Sequence, residues 1–108
     1  MVTEPIPNYH TYNSESELQA EIVKRLRAAG WFVIVTSQNR RTRKQLAGMP
    51  DLICFRWGVT SLIECKAPRG EYTEPEAAFF EALNEHLGPC LHYVVARYVE
   101  DVEQWLMT

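Results

Sequence analysis

The stretch DLICFRWGVTSLIECK, residues 51–66, decides the fold of this chain. Its two arms, 51–55 and 60–66, are dominated by apolar and β-branched residues, and Arg56-Trp57-Gly58 supplies a turn between them. Two apolar runs joined by a short, glycine-containing turn predict a β-hairpin. Pairing of the two strands places the beginning of the first beside the end of the second.

Charged residues lie at the open end of this hairpin. Asp51 begins the first strand, and Glu64 and Lys66 end the second. Alternate residues of a strand share a face, so Glu64 and Lys66 point the same way while Cys65 points the other way. Hard cations such as Mg²⁺ and Mn²⁺ prefer oxygen ligands. We therefore predict a metal site made of the Asp51 and Glu64 carboxylates and the backbone carbonyl of Cys65.

A divalent cation beside an ammonium group suits the hydrolysis of phosphodiesters. The metal lowers the pKa of bound water and neutralises charge on the phosphate. Lys66 would orient or deprotonate the attacking water, or stabilise the oxyanion, and the sequence leaves these roles open. The alternative is a Glu64–Lys66 ion pair on a solvated strand, which contributes little free energy. A charged pair at the end of an apolar strand needs a reason, however, and a metal supplies one.

Basic residues are concentrated in the middle of a chain whose net charge is −3. Residues 24–69 carry ten of the eleven Lys and Arg and only two acids, which are Asp51 and Glu64. A local positive face can therefore exist on an acidic protein. Four bases in a segment without acids predict contacts with DNA phosphates, or else a solvated charged loop; they are Arg40, Arg41, Arg43 and Lys44. Arg69 is predicted to extend this DNA-binding surface.

The segments around the hairpin predict the remaining elements. The capping box Ser14-x-x-Glu17 begins a helix that ends at Gly30, and residues 31–36 predict a buried strand. A loop over 37–50 leads into the hairpin. A second capping box, Thr73-x-x-Glu76, begins a helix that ends at Gly88. A strand over 91–96 and a helix over 99–107 complete the order α-β-β-β-α-β-α, which predicts an α/β fold with a mixed central sheet flanked by helices.

The bulk properties limit the class of protein. The 108 residues predict one domain over 14–108 behind an extended arm over 1–13. Because no apolar run can span a bilayer and no signal pattern is visible, we expect a soluble, cytoplasmic protein without a membrane partner. The three cysteines lack metal-ligand spacing and predict reduced thiols packed as small hydrophobic residues. A glycine-rich phosphate loop is absent, which disfavours a nucleotide cofactor.

Taken together, the motifs resemble the VRR-NUC family of the PD-(D/E)XK nuclease superfamily over roughly residues 14–96. The resemblance implies a restriction-endonuclease-like fold, dependence on Mg²⁺ or Mn²⁺, and phosphodiester hydrolysis. For small stand-alone members it also implies homodimers that resolve Holliday junctions. The matching motifs are Glu15, Gly48-x-Pro50-Asp51, Ile63-Glu64-x-Lys66 and the helix that begins Thr73-x-Pro75-Glu76.

Site roles follow from the resemblance position by position. Asp51 and Glu64 become metal ligands and Lys66 the catalytic lysine, with Glu15 as the acid of the first helix. Gln19, one turn from Glu15, is either a supporting residue or a helix-surface glutamine. Glu76 stands where the resemblance leads us to expect glutamine, so it either faces the metal or only caps its helix.

We expect a metal-dependent, structure-selective DNA endonuclease that acts on branched DNA as a homodimer. A four-way junction is nearly two-fold symmetric, and a C2 pair of small chains supplies two active sites at a fixed separation. Three alternatives stay open. They are a nuclease for flaps, nicks or duplex within a larger machine, a non-catalytic DNA-binding module, and an acidic protein-interaction domain.

Overall fold

A four-stranded mixed sheet forms the centre of the protein. The structure is a computed structural model that describes Tyr9, residues 11–36 and residues 48–106, with 104–106 described by their backbone. The sheet has the order β1-β2-β3-β4, in which the first two pairs are antiparallel and β3 and β4 are parallel. The strands are β1 (Phe32–Val35), β2 (Leu52–Arg56), β3 (Val59–Cys65) and β4 (Leu91–Ala96).

Three helices accompany the sheet in the predicted order α-β-β-β-α-β-α. They are α1 (Glu15–Ala28), α2 (Glu74–Asn84) and α3 (Val99–Leu106). Helices α1 and α3 pack against each other and on one side of the sheet. The hydrophobic core lies between these helices and the sheet, and it includes Leu18, Ile22 and Leu26 of α1 at helical spacing. The predicted α/β fold, with a mixed sheet flanked by helices, is confirmed.

The hairpin turns on two residues rather than three. Arg56 pairs with Val59 as the last step of the ladder, so Trp57 and Gly58 alone form the turn. Both have positive φ, 48° and 79°, as a type I′ turn requires. The guanidinium of Arg56 lies 4.8 Å from the Trp57 ring, and Trp57 is 89% exposed. The tryptophan at the hairpin tip is therefore a surface residue and not part of the core.

Two predicted boundaries were wrong. The first strand begins at Phe32, because the N–H of Trp31 still donates to Leu26 O of α1 at 3.0 Å. Helix α2 ends at Asn84 instead of Gly88, because the chain tightens there into three-residue turns, with the N–H of His86 bonded to Leu83 O at 2.8 Å. The other predicted elements lie within a residue or two of their observed limits.

The sheet has a closed face and an open face. The closed face, covered by α1 and α3, carries Val33, Leu52, Cys54, Ile63 and Cys65. The open face carries the alternate residues of the same strands, which are Phe32, Ile34, Ile53, Phe55, Leu62 and Glu64. Helix α2 lies on this second face through ring contact of Phe80 with Tyr93 at 4.9 Å between centroids, but no α2 side chain is fully buried.

The prediction of a buried first strand is therefore wrong for half of its residues. Phe32 is 64% and Ile34 41% exposed on the open face. Only the closed face of this edge strand is covered by helices, so alternate residues have no core to enter. None of the described helices is long and apolar enough to cross a membrane.

Candidate active site

The hairpin register brings the two predicted metal-binding acids together. Leu52 pairs with Ile63, so Asp51, one residue earlier, lies opposite Glu64 on the open face. The Oδ2 atom of Asp51 accepts a hydrogen bond from the backbone N–H of Cys65 at 2.9 Å. The carboxylate of Asp51 therefore bridges the ends of β2 and β3.

Glu64 is a buried acid, and its Oε2 atom has no hydrogen-bond partner among the described residues. The residue is 2% exposed. Burial raises the pKa of Glu64, and the adjacent Asp51 carboxylate raises it further through a hydrogen bond and through charge repulsion. Two carboxylates that repel each other in a desolvated place are suited to share a cation.

Lys66 lies beside the pair, as strand alternation predicts. Its Nζ atom is 2.7 Å from Oε1 of Glu76, and the Lys66 side chain is only 8% exposed. Burial by itself would lower the pKa of Lys66, but the hydrogen bond that its ammonium donates to Glu76, with the charges of Glu76, Glu64 and Glu15, raises it above its usual range. The lysine is therefore an ammonium group at neutral pH.

Glu76 has two partners, which neither sequence interpretation described in full. It closes a capping box, since its Oε1 accepts from the Thr73 N–H at 2.8 Å and its own N–H donates to Thr73 Oγ1 at 3.3 Å. The same oxygen holds Lys66. Burial would raise the pKa of Glu76, yet the hydrogen bonds from Lys66 and Thr73 lower it. Glu76 therefore caps its helix and also contacts the site.

The first helix reaches the edge of the site through Glu15. Its Oε2 lies 3.4 Å from the Ala67 backbone nitrogen, just beyond Lys66. Glu17 instead closes the helix cap, because its Oε2 accepts from the Asn13 N–H at 3.1 Å and its N–H donates to Ser14 Oγ at 3.2 Å. Gln19, one turn on, is half-buried, and its supporting role stays a prediction.

The cysteines contribute backbone and packing rather than thiolates. Burial raises the pKa of Cys54 to about 12 and that of Cys65 higher still. Cys65 points its side chain into the closed face, and its N–H faces Asp51. In an extended strand the N–H and C=O of one residue point to the same side, so the Cys65 carbonyl faces Asp51 too. Cys90 is exposed, contrary to the expectation that all three are buried.

The donor set fits a hard cation. It consists of two carboxylates, one of them with an unpaired buried oxygen, and a backbone carbonyl. Within the described ranges, no three or more His, Cys, Asp and Glu side chains gather as a metal cage. A site with few protein ligands suits Mg²⁺, which keeps several waters when it binds.

The predicted DNA contacts are only partly visible. Arg40, Arg41, Arg43 and Lys44 lie outside the described residues. Arg69 is exposed on the loop between β3 and α2. Sequence reasoning missed Arg97, whose Nη1 donates to the backbone carbonyls of that loop, those of Ala67, Pro68 and Gly70, at 2.9, 3.2 and 2.7 Å. Its signal was its place as the single base of an acidic C-terminal region.

Two features position the approach to Asp51: the contacts of Thr36, which sequence reasoning missed, and the close approach at Gly48, a motif residue whose role the sequence did not explain. Thr36 donates its hydroxyl to Pro50 O at 2.5 Å and its N–H to Asp51 O at 2.9 Å, which ties β1 to the start of β2. Gly48 has φ +83°, and a Cβ there would lie 2.1 Å from the carbonyl oxygen of Pro75. The glycine is thus needed because the first turn of α2 touches its backbone.

A comparison of the sequence with models of protein families identifies the family of this chain. The family model of the VRR-NUC domain matches residues 2–97. The chain belongs to the VRR-NUC family. This is a family of nuclease domains, so the chain is a nuclease module with DNA as its substrate class. Comparisons with curated proteins and with solved structures find no match.

The VRR-NUC match includes part of the predicted arm. It begins within residues 1–13, most of which lie outside the described residues. The boundary between an arm and a domain over 14–108 stays a prediction. The catalytic and metal-binding roles of Asp51, Glu64, Lys66 and Glu15 also stay predictions, now on residues that the fold brings together.

Proposed function

We propose that this VRR-NUC domain is a metal-dependent endonuclease that hydrolyses phosphodiester bonds in branched DNA. One observation carries the proposal: the buried Glu64 lies opposite Asp51, with its Oε2 unpaired among the described residues. Burying a carboxylate beside a second one costs free energy unless a positive charge compensates. A catalytic cation accounts for an arrangement that destabilises the folded chain on its own.

Asp51, Glu64 and the Cys65 carbonyl are the groups that would hold Mg²⁺ or Mn²⁺. Such a cation, when bound, acidifies a water molecule and offsets negative charge on the phosphate. Asp51 is pre-oriented for this task by the Cys65 N–H, which fixes its Oδ2. Glu15 borders the same site from α1 and adds negative charge at its edge.

Lys66 acts as a fixed positive charge. Without a metal, the hydrogen bond to Glu76 and the neighbouring acids raise the pKa of Lys66, which favours an ammonium group over a general base. An ammonium group on the same face as Glu64 is suited to orient the attacking water and to stabilise charge that develops on the phosphate oxygens. The exposed Arg69 and the basic residues of 40–44 would supply contacts to the DNA backbone.

Branched DNA and a homodimer form the finer part of the proposal. Two cuts at a four-way junction need two active sites related by two-fold symmetry, and each chain provides one. The oligomeric state is checked by analytical ultracentrifugation at the protein concentration of the cleavage assay. A dimer supports the proposal, whereas a strict monomer that still resolves junctions contradicts it.

Cleavage of labelled junction, flap, nicked and linear duplex DNA tests the activity. With Mg²⁺, the wild type and Lys24→Ala should nick junctions in symmetric pairs, and Lys66→Ala should not cut. Lys24 is a matched control because it is an exposed lysine on α1. Cuts confined to flaps, nicks or duplex would favour a module of a larger machine. Binding without cleavage of any substrate would overturn the proposal in favour of a non-catalytic module.

A further inference from the structure

We propose that Glu76 is a positioning residue, which holds the Lys66 ammonium on the open face of the sheet beside Glu64. The inference deepens the proposed function and rests on it. Its direct observation is the 2.7 Å contact between Lys66 Nζ and Glu76 Oε1. Both side chains are largely buried, 8% and 17% exposed, so water screens the pair little.

Lys66 needs such an anchor. A lysine side chain has four rotatable bonds and carries a compact charge without a preferred direction. A lysine that samples several rotamers would bring its ammonium to the reacting phosphate only part of the time. A charge-assisted hydrogen bond to a fixed carboxylate removes that freedom before the substrate arrives.

Glu76 is itself fixed by its own helix. The oxygen that holds Lys66 also accepts the Thr73 N–H at 2.8 Å, and the Glu76 N–H donates back to Thr73 Oγ1 at 3.3 Å. The backbone N–H of Thr73 therefore restrains the carboxylate of Glu76, and the Thr73 hydroxyl restrains only its backbone N–H. An exposed glutamate on a free helix surface would offer no comparable restraint.

The first turn of α2 is in turn seated on the backbone that leads to Asp51. A Cβ on Gly48 would lie 2.1 Å from Pro75 O and 2.8 Å from the Glu76 nitrogen, so only glycine permits this approach. Gly48 stands three residues before Asp51. The turn that carries Glu76 is thus held against the same segment that presents the first metal-binding acid.

The rest of α2 is a weak anchor, which makes these contacts decisive. No side chain of the helix is fully buried. Phe80 touches Tyr93, whose hydroxyl lies 3.3 Å from that of Tyr72. The position of Glu76 over Lys66 therefore depends on Gly48 and the ion pair more than on a packed helix face.

One substitution separates capping from positioning. Glutamine serves as well as glutamate at the fourth position of a capping box. Glu76→Gln thus keeps the helix start and removes only the negative charge at Lys66. Thr73→Ala is the converse variant, because it deletes the cap hydroxyl and leaves the carboxylate. Glu74→Gln, an exposed glutamate of the same turn, controls for net charge.

Lysine-selective ¹⁵N NMR tests the anchor without metal or DNA. The chain has three lysines, so the Lys66 Nζ signal can be assigned with Lys66→Arg. We expect a hydrogen-bonded, slowly exchanging ammonium signal in the wild type, in Thr73→Ala and in Glu74→Gln. In Glu76→Gln, where only a neutral amide oxygen is left to accept from Lys66, and in Gly48→Ala, the Lys66 signal should shift and exchange faster than in the wild type. An unchanged Lys66 signal in Glu76→Gln would overturn the inference, even if Gly48→Ala fails to fold.

Cleavage kinetics give the second readout. Glu76→Gln should lower kcat by about tenfold and leave KM and DNA affinity within about twofold, because the ammonium acts after binding. Thr73→Ala should lower the melting temperature with kcat retained. A rise in kcat for Glu76→Gln would mean that Glu76 competes with the substrate for Lys66, contrary to the inference. If the wild type cuts no DNA, the proposed function fails, while the NMR result still decides whether Glu76 holds Lys66.

Discussion

The two faces of the central sheet place neighbouring residues of the same strand in different surroundings. On the closed face, Leu52, Ile63 and Cys65 lie in a core under α1 and α3. One residue away, Asp51 and Glu64 lie on the open face. A shift of one position along β2 or β3 thus separates the residues that stabilise the fold from those proposed to carry the chemistry.

On the open face, exposure does not follow the polarity of the side chains. Phe32 and Ile34 are exposed there, although they are apolar, whereas the charged Glu64 is 2% exposed. Stability alone would favour the opposite arrangement. The closed face is arranged for packing, and the contrast supports the proposal that the open face binds a ligand that carries positive charge.

The two aspartates of the chain should give the largest difference between a residue of the candidate site and a residue that only stabilises the fold. Asp51 lies in the candidate site, and Asp101 caps α3 by accepting from the N–H groups of Arg97 and Tyr98 at 2.9 and 3.1 Å. Asp51→Asn should reduce DNA cleavage by about a thousandfold or more and, without metal, leave the chain at least as stable, because the repulsion with Glu64 is removed. Asp101→Asn should retain cleavage and lose about 1 kcal/mol of stability. Cleavage assays and urea denaturation check both, and an exchange of these outcomes would contradict the account.

A matched pair of isoleucines measures the packing difference. Ile63 on the closed face is 0% exposed, and Ile34 on the open face is 41% exposed. Ile63→Ala should cost about 2–5 kcal/mol in the free energy of unfolding, because it opens a cavity in the core. Ile34→Ala should cost less than about 1 kcal/mol. Similar losses of stability in urea denaturation would contradict the exposure of Ile34 on the open face.

The sequence predicted the hairpin and the meeting of Asp51 with Glu64, because strand alternation and turn chemistry are local rules. It did not predict the exposure of Phe32 and Ile34, since a run of apolar residues looks the same whether one or both faces of a sheet are covered. Of the two partners of Glu76, Thr73 was predicted by the capping box, but the contacts with Lys66 were out of reach. They depend on the docking of α2 on Gly48, which joins segments far apart in the chain.

The buried carboxylate pair should make stability depend on pH. The pKa of Glu64 is raised above its ordinary value of 4.5. At pH values between the ordinary pKa and the raised pKa, the folded chain therefore binds more protons than the unfolded chain. Without divalent cations, the contribution of Glu64 to stability should therefore fall as pH rises above 4.5. Thermal unfolding of wild type and Glu64→Gln across this range measures the difference. Glu74→Gln should run parallel to the wild type, and a wild type parallel to Glu64→Gln would contradict the shift.

Arg69, in the loop between β3 and α2, and Arg97, which follows β4 and bonds to that loop, test the smallest effect. Arg69→Gln, an exposed position, should weaken DNA binding a few-fold at low salt and reduce the salt dependence of log K by about one. Arg97→Gln should instead lower stability, because it frees the carbonyls of Ala67, Pro68 and Gly70. Fluorescence anisotropy at several salt concentrations measures the first, and urea denaturation the second. Equal DNA affinity of Arg69→Gln and wild type would remove this loop from the interface.

The most direct test of the central claim is a Mn²⁺ titration followed by electron paramagnetic resonance, without DNA. The account predicts that the wild type binds Mn²⁺, that Lys66→Ala still binds it, and that Asp51→Asn and Glu64→Gln each lose most of the binding. Asp101→Asn serves as the matched control and should bind like the wild type. Binding that survives both Asp51→Asn and Glu64→Gln, or a wild type that binds no better than these variants, would contradict a metal centre on the open face.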